Sequence, residues 1–123
     1  MDDHSRQELD LLRERIRRFN AARRWQIFHS PKNLSMALSV EAAELMEHFQ
    51  WLTEEQSRQL PEPKRARVRE ELADVFIYLV NLADQLDIDL LGAARDKIGL
   101  NEKKYPVAKA SGNALKYSEL DEQ

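Results

Sequence analysis

The stretch from Ser30 to Leu52, SPKNLSMALSVEAAELMEHFQWL, most constrains what this chain can become. It opens as a helix should, because Ser30 can cap and Pro31 suits a first turn, where its missing N–H costs nothing. At about 100° per residue, Leu34, Leu38, Leu45, Phe49 and Leu52 fall within an arc of roughly 60°. Glu41 points into the middle of that arc. Glu44 lies about 60° away, on the side of Asn33 and Trp51. A carboxylate turned toward a core is strongly unfavourable unless something compensates it. The rest of the chain must therefore supply a partner for Glu41 and Glu44.

A chain of 123 residues with three glycines, four prolines and 33% charged residues reads as one all-α domain with few turns. The absence of cysteine excludes a disulfide framework and a thiolate metal site. Apolar runs fall far short of a membrane span, and the first residues, MDDHSRQELD, lack the basic and apolar regions of a signal peptide. The expectation is a soluble, cytoplasmic protein without a membrane partner. Net charge is −3 with both signs interleaved, which argues against a nucleic-acid polymer held by phosphate neutralisation. One small phosphorylated molecule, met by two or three lysines, remains compatible with it.

Taken in order, residues 5–24 predict a first helix, with Leu9, Leu12, Ile16 and Phe19 at spacings of three and four. The segment 24–31 leaves that helix before Pro31 and sets Trp25, Phe28 and His29 beside the start of the second. The second helix is expected to run to about Leu52, with a short helix over 54–59 behind Thr53. Pro61 and Pro63 break the chain, and PEPKRARV reads as a polar loop. A third long helix follows, from about Pro63 to Leu86. Its second half is apolar almost all round, through Leu72, Val75, Phe76, Ile77, Leu79, Val80 and Leu82. Such a helix is buried on several sides. One small subunit hardly supplies that burial, so a homo-oligomer, dimer or tetramer, is expected. Residues 88–104 predict a fourth helix whose Lys97, Asn101 and Lys104 share a face. The domain then spans 1–106, with 107–123 as a polar, aperiodic tail.

The chemistry lies in a repeated anomaly. Glu71 and Asp74 on the third helix form a second acid-x-x-acid pair on an inward face, with Tyr78 and Asn81 on the same side. Positions i and i+3 are neighbours on a helix, so each pair can present two carboxylates to one point. If the two helices lie antiparallel, four carboxylates converge and need cations between them. Oxygen-only ligation suits a hard cation, magnesium first and manganese second. A di-iron bundle would want Glu-x-x-His on two helices. Here His48 follows Glu44 by four residues, and no histidine follows Asp74.

The motifs RWQIFHSPKNL, SVEAAELMEHFQW, REELADVFIYLVNLA and KIGLNEKKYP, in this order over residues 12–106, resemble the all-α nucleotide pyrophosphohydrolases of the MazG-like superfamily. The likeness is greatest to the small dCTP pyrophosphatase-like branch. It implies a four-helix-bundle-type fold, assembled as a homo-oligomer. It also implies magnesium-assisted hydrolysis of a (deoxy)nucleoside triphosphate, dCTP-like pyrimidines above all, to the monophosphate and pyrophosphate. By the resemblance, Glu41, Glu44, Glu71 and Asp74 are metal ligands, with Glu41 or Glu44 also holding the attacking water. Trp25, His29 and Trp51 border the base, and Asn33 stands beside them. Tyr78 corresponds to a sugar contact, and Lys97, Asn101 and Lys104 to phosphate and sugar contacts. Ile16 and Asn20 stand near where some relatives carry a polar pocket residue, so the preferred base is not implied. The competing reading is a non-enzymatic helical interaction module, whose acids form salt bridges with Arg65, Arg67 and Arg69 or with the first helix.

Overall fold

Helix α1, Asp3–Ala22, ends where Arg24 enters the left-handed region at φ 56°. For a residue with a side chain that conformation costs roughly 1–2 kcal/mol. Local contacts offset it. The Arg23 guanidinium lies 3.7 Å from the centre of the Phe19 ring and donates to the Phe19 carbonyl at 3.1 Å. Trp25 then meets Phe19 edge-on, with ring centres 5.5 Å apart. The reversal leads into a 3-10 turn, Trp25–Ile27, and on to the cap of the next helix.

Helix α2, Pro31–Glu47, starts as the sequence predicts, with the Ser30 hydroxyl accepting from the Asn33 N–H at 3.1 Å. Its end differs from expectation. Residues 48–52 wind through turns, because the His48 and Phe49 N–H groups bond three residues back, to Leu45 and Met46, rather than four. Phe49 and Leu52 still remain half-buried. Helix α3, Glu54–Arg58, has a full capping box between Thr53 and Gln56. Helix α4, Glu62–Gln85, begins with Pro63 in its first turn, so residues 64–68 are helical rather than the expected loop, and Val68 is buried.

The structure is a computed structural model that describes residues 3–120, and every regular element among them is helical. The chain divides into two compact units, Met1–Ile88 and Asp89–Gln123. In the first, α2 and α4 form the most extensive packing, and α1 lies against α4. Ile16, Leu34, Val68, Val80 and Ala83 are its buried apolar residues. His29 meets Asn81, Glu41 meets Glu71, and His48 meets Glu71 from just past the end of α2. Rising numbers on one side match falling or level numbers on the other, so α2 and α4 run antiparallel. Arg17 locks α1 to α4 with a two-pronged bond to the Asp84 carboxylate, Nε to Oδ2 at 2.8 Å and Nη2 to Oδ1. Within one chain α4 leaves Leu72, Phe76 and Ile77 exposed, at 52, 43 and 40%.

In the second unit, the Asp89 carboxylate accepts from the Gly92 N–H at 3.1 Å and caps helix α5, Leu90–Lys104. A side chain at position 92 would collide with that carboxylate. Where an aperiodic tail was expected, Pro106 opens a single-turn helix α6, Val107–Ala110, and α7 spans Tyr117–Leu120. Gly112 at φ 78° supplies the bend after α6. The last three residues of the expected tail lie outside the described residues. Among those described, no helix is long and apolar enough to cross a membrane.

Candidate active site

Three of the four singled-out acids come together. Glu41 and Glu44 from α2 and Glu71 from α4 each place one carboxylate oxygen within 4.8 Å of the others. Glu41 Oε2 and Glu71 Oε2 are buried without a hydrogen-bond partner. Burial pushes the Glu41 carboxyl up to about 7, helped by shared hydrogen bonds with Glu71 and Glu44 and by the charges of Glu44 and Asp74. Crowded carboxylates behave this way when no cation separates them. Orphaned buried oxygens in an all-oxygen donor set fit a hard divalent cation, which would take up those lone pairs.

Asp74 stands outside the trio. It is exposed and borders the neighbouring cavity, though its charge still reaches Glu41. One helical step of three residues turns it about 60° away from Glu71. His48 approaches from the end of α2, its Nε2 4.0 Å from Glu71 Oε1. Spacing gave no reason to place His48 there, since the approach depends on how α2 crosses α4. Among the described residues, none of the four acids pairs with an arginine.

Beside the acids lies a cavity of about 450 Å³, walled by α1, the 24–31 crossover and α4. Leu12, Ile16, Phe19 and Ile77 give it an apolar lining, and Trp25, His29, Asp74 and Tyr78 are the predicted residues that reach it. Arg15, Asn20 and Asn81 add polar groups. His29 meets the Trp25 ring edge-on at 6.2 Å and lies 3.1 Å, Nδ1 to Nδ2, from Asn81. Asn81 shared a helix face with Asp74 in the sequence, but its contact with His29 spans 52 positions and has no local signature.

The other candidates stand elsewhere. Trp51 is 86% exposed in the turn after α2 and does not line the cavity. The early end of α2 is the reason, for it removes Trp51 from the helical edge it would have shared with Glu44. Asn33 donates through Nδ2 to the Phe28 carbonyl at 2.9 Å, tying the crossover to the first turn of α2. Lys97, Asn101 and Lys104 are exposed on α5, in the second unit.

A model of the MazG-like family matches residues 36–120. This chain belongs to that family. The MazG-like chain is 45% identical over 104 residues to dCTP pyrophosphatase 1 of Mus musculus, and equally to that of Homo sapiens. Each match covers 83% of this chain and 61% of the relative, so the chain spans about three fifths of the length of these curated relatives. A solved pyrophosphatase from Archaeoglobus fulgidus is 38% identical and superposes with a TM-score of 0.73, over 86% of this chain and 95% of that one. The all-helical architecture is thus the family's.

Proposed function

We propose that this chain is a magnesium-dependent nucleotide pyrophosphohydrolase acting on pyrimidine deoxynucleoside triphosphates, dCTP-like ones foremost. Such an enzyme hydrolyses its substrate to the monophosphate and pyrophosphate and clears surplus or non-canonical nucleotides. The observation that carries this reading is the carboxylate trio with two orphaned buried oxygens, set beside an aromatic-walled cavity that Asp74 borders. Three relatives of matching chemistry support it: the rodent and human proteins are named dCTP pyrophosphatases, and the archaeal one a pyrophosphatase.

Glu41, Glu44 and Glu71 would hold the ion together with Asp74, which borders the cavity. When bound, magnesium (or manganese) supplies charge neutralisation of the triphosphate and stabilises charge developing at the α-phosphorus. Glu41 or Glu44 takes the proton of the attacking water. Trp25 and His29 border the base, and Tyr78 meets the sugar. On the strength of the resemblance, Asn33 and Trp51 belong to the base end, and Lys97, Asn101 and Lys104 to the phosphates and sugar. We further propose a homo-oligomer, because Leu72, Phe76 and Ile77 of α4 are left in water by a single chain. A cytoplasmic location and a working domain over 1–106 complete the reading. The interaction-module alternative had the acids pair with Arg65, Arg67 and Arg69 or with the first helix; Arg65 instead faces Glu62 at 3.9 Å, and the Arg17 bridge from the first helix goes to Asp84.

A panel of dNTPs and NTPs incubated with magnesium, scored for pyrophosphate against orthophosphate, tests the proposal. Pyrophosphate release that needs the cation is expected. Release of orthophosphate alone, or turnover that survives both Glu44→Ala and Asp74→Ala, would refute it.

A further inference from the structure

Asn81 is the one polar residue in the buried class among the described residues, at 5% exposure. Its neighbours on α4, Val80 and Ala83, are apolar core. A carboxamide in such a place is costly unless its groups are bonded, so its partner identifies what it is for. That partner is His29, whose Nδ1 lies 3.1 Å from Asn81 Nδ2. Both residues line the cavity beside Asp74 and Tyr78. Trp25 holds the imidazole from another side, edge-on at 68°.

We propose that Asn81 sets the hydrogen-bond polarity of His29 and thereby makes the cavity selective for a base with a ring carbonyl. An amide nitrogen only donates, so the bond obliges His29 Nδ1 to accept. A neutral imidazole has one donor and one acceptor, and its proton must then sit on Nε2. Among the described residues Nε2 has no protein partner. The result is a fixed N–H donor on a residue that lines the cavity. A fixed donor binds an acceptor such as the 2-carbonyl shared by natural pyrimidines, and leaves a base lacking one with an unmet donor. Asn81 acts through His29, so it is a positioning residue rather than a catalytic one. The selectivity rests on the nucleotide reading above, whereas the tautomer does not.

Two measurements on the full chain test this. Long-range nitrogen–proton correlation spectra of the wild-type protein should show His29 protonated on Nε2 and bare on Nδ1, with Asn81→Leu abolishing that single-tautomer signature. A proton on Nδ1 would mean that Asn81 presents its oxygen instead, and overturns the proposal without any turnover assay. The second measurement compares kcat/KM for dCTP with that for a triphosphate of a carbonyl-free difluorobenzene isostere. Wild type should favour dCTP by roughly three- to tenfold more than Asn81→Leu does, the range of one neutral hydrogen bond. Should Asn81→Leu not fold, Asn81→Ala removes the donor to Nδ1 without adding a charge and should also lose the preference. An unchanged preference in a folded variant overturns the proposal. Absence of turnover in the wild type would instead strike the nucleotide reading, leaving the spectrum to decide the tautomer.

Discussion

At Glu41, a burial that disfavours charge meets a site that draws charges together. Its carboxyl is raised from 4.5 to about 7, so the folded protein holds this proton more tightly than the unfolded chain. The stabilisation is therefore complete below about pH 4.5 and is lost as pH rises through about 7. In chelator, the thermal midpoint should fall across that window, and fall less for Glu41→Gln. Magnesium should restore the wild type at neutral pH by replacing the lost proton as the compensating charge. Scanning fluorimetry with and without chelator checks both; a metal-free midpoint that rises toward pH 7 contradicts them. The trio and Asp74 should also separate. Glu44→Ala is expected to erase magnesium-induced stabilisation, about 2.7 kcal/mol at a hundred times Kd. Asp74→Ala should keep much of it, yet lower kcat/KM about a hundredfold or more. Both acid pairs were visible in the sequence because i, i+3 spacing is local. That Asp74 turns to the cavity was not, since it depends on how α4 is rotated against α2.

At the scale of elements, the capped starts of α2 and α3 and the ends of α4 and α5 were legible, whereas the end of α2 was not. Ser30, Thr53 and Asp89 each accept from an N–H three residues on, and that chemistry is contained in four residues. Thr53→Ala should therefore cost about 1 kcal/mol in urea unfolding. The end of α2 has no such local device. Its apolar spacing runs on to Leu52, while the backbone tightens at His48 and Phe49. The tie between α1 and α4 was equally hidden, because Arg17 and Asp84 are 67 positions apart. The Arg17 guanidinium holds the Asp84 carboxyl below its ordinary 3.8. That contribution is present above about pH 3.8 and disappears as pH falls below it. Asp84→Asn should lose about 1 kcal/mol near neutral pH, below the roughly 1.5–3 kcal/mol usual for charge-assisted bonds, since half of Arg17 lies in water. Denaturation at pH 7 and at pH 3 should show the two proteins converging in acid.

For the whole molecule, the decisive quantity is apolar surface left in water. Leu72, Phe76 and Ile77 on α4, Leu11 on α1 and Trp51 after α2 are all exposed in one chain. Leu72 and Phe76, one turn apart, share a face of α4, and an exposed apolar patch marks association. Light scattering should report at least a dimer, and Phe76→Arg should shift it toward smaller species. A wild-type monomer at micromolar concentration would refute the assembly. All-round apolarity of α4 was readable as a pattern, but which residues the chain itself covers was settled only by packing.

By itself the sequence determined the helical class, the capped starts of α2 and α3, and two acidic pairs set in apolar faces. These follow from periodicity and capping, which act within one or two turns. Only the tertiary structure decided that Glu41, Glu44 and Glu71 converge while Asp74 borders the cavity. It also decided that Trp51 leaves the helix and that Asn81 reaches His29. Each of these depends on the rotation and crossing of elements far apart in the chain, and local spacing carries no information about either. The stretch from Ser30 to Leu52 posed the need for a counterpart to its inward-facing acids, and α4 brings Glu71 beside them, with Oε2 of Glu41 and of Glu71 buried without a hydrogen-bond partner.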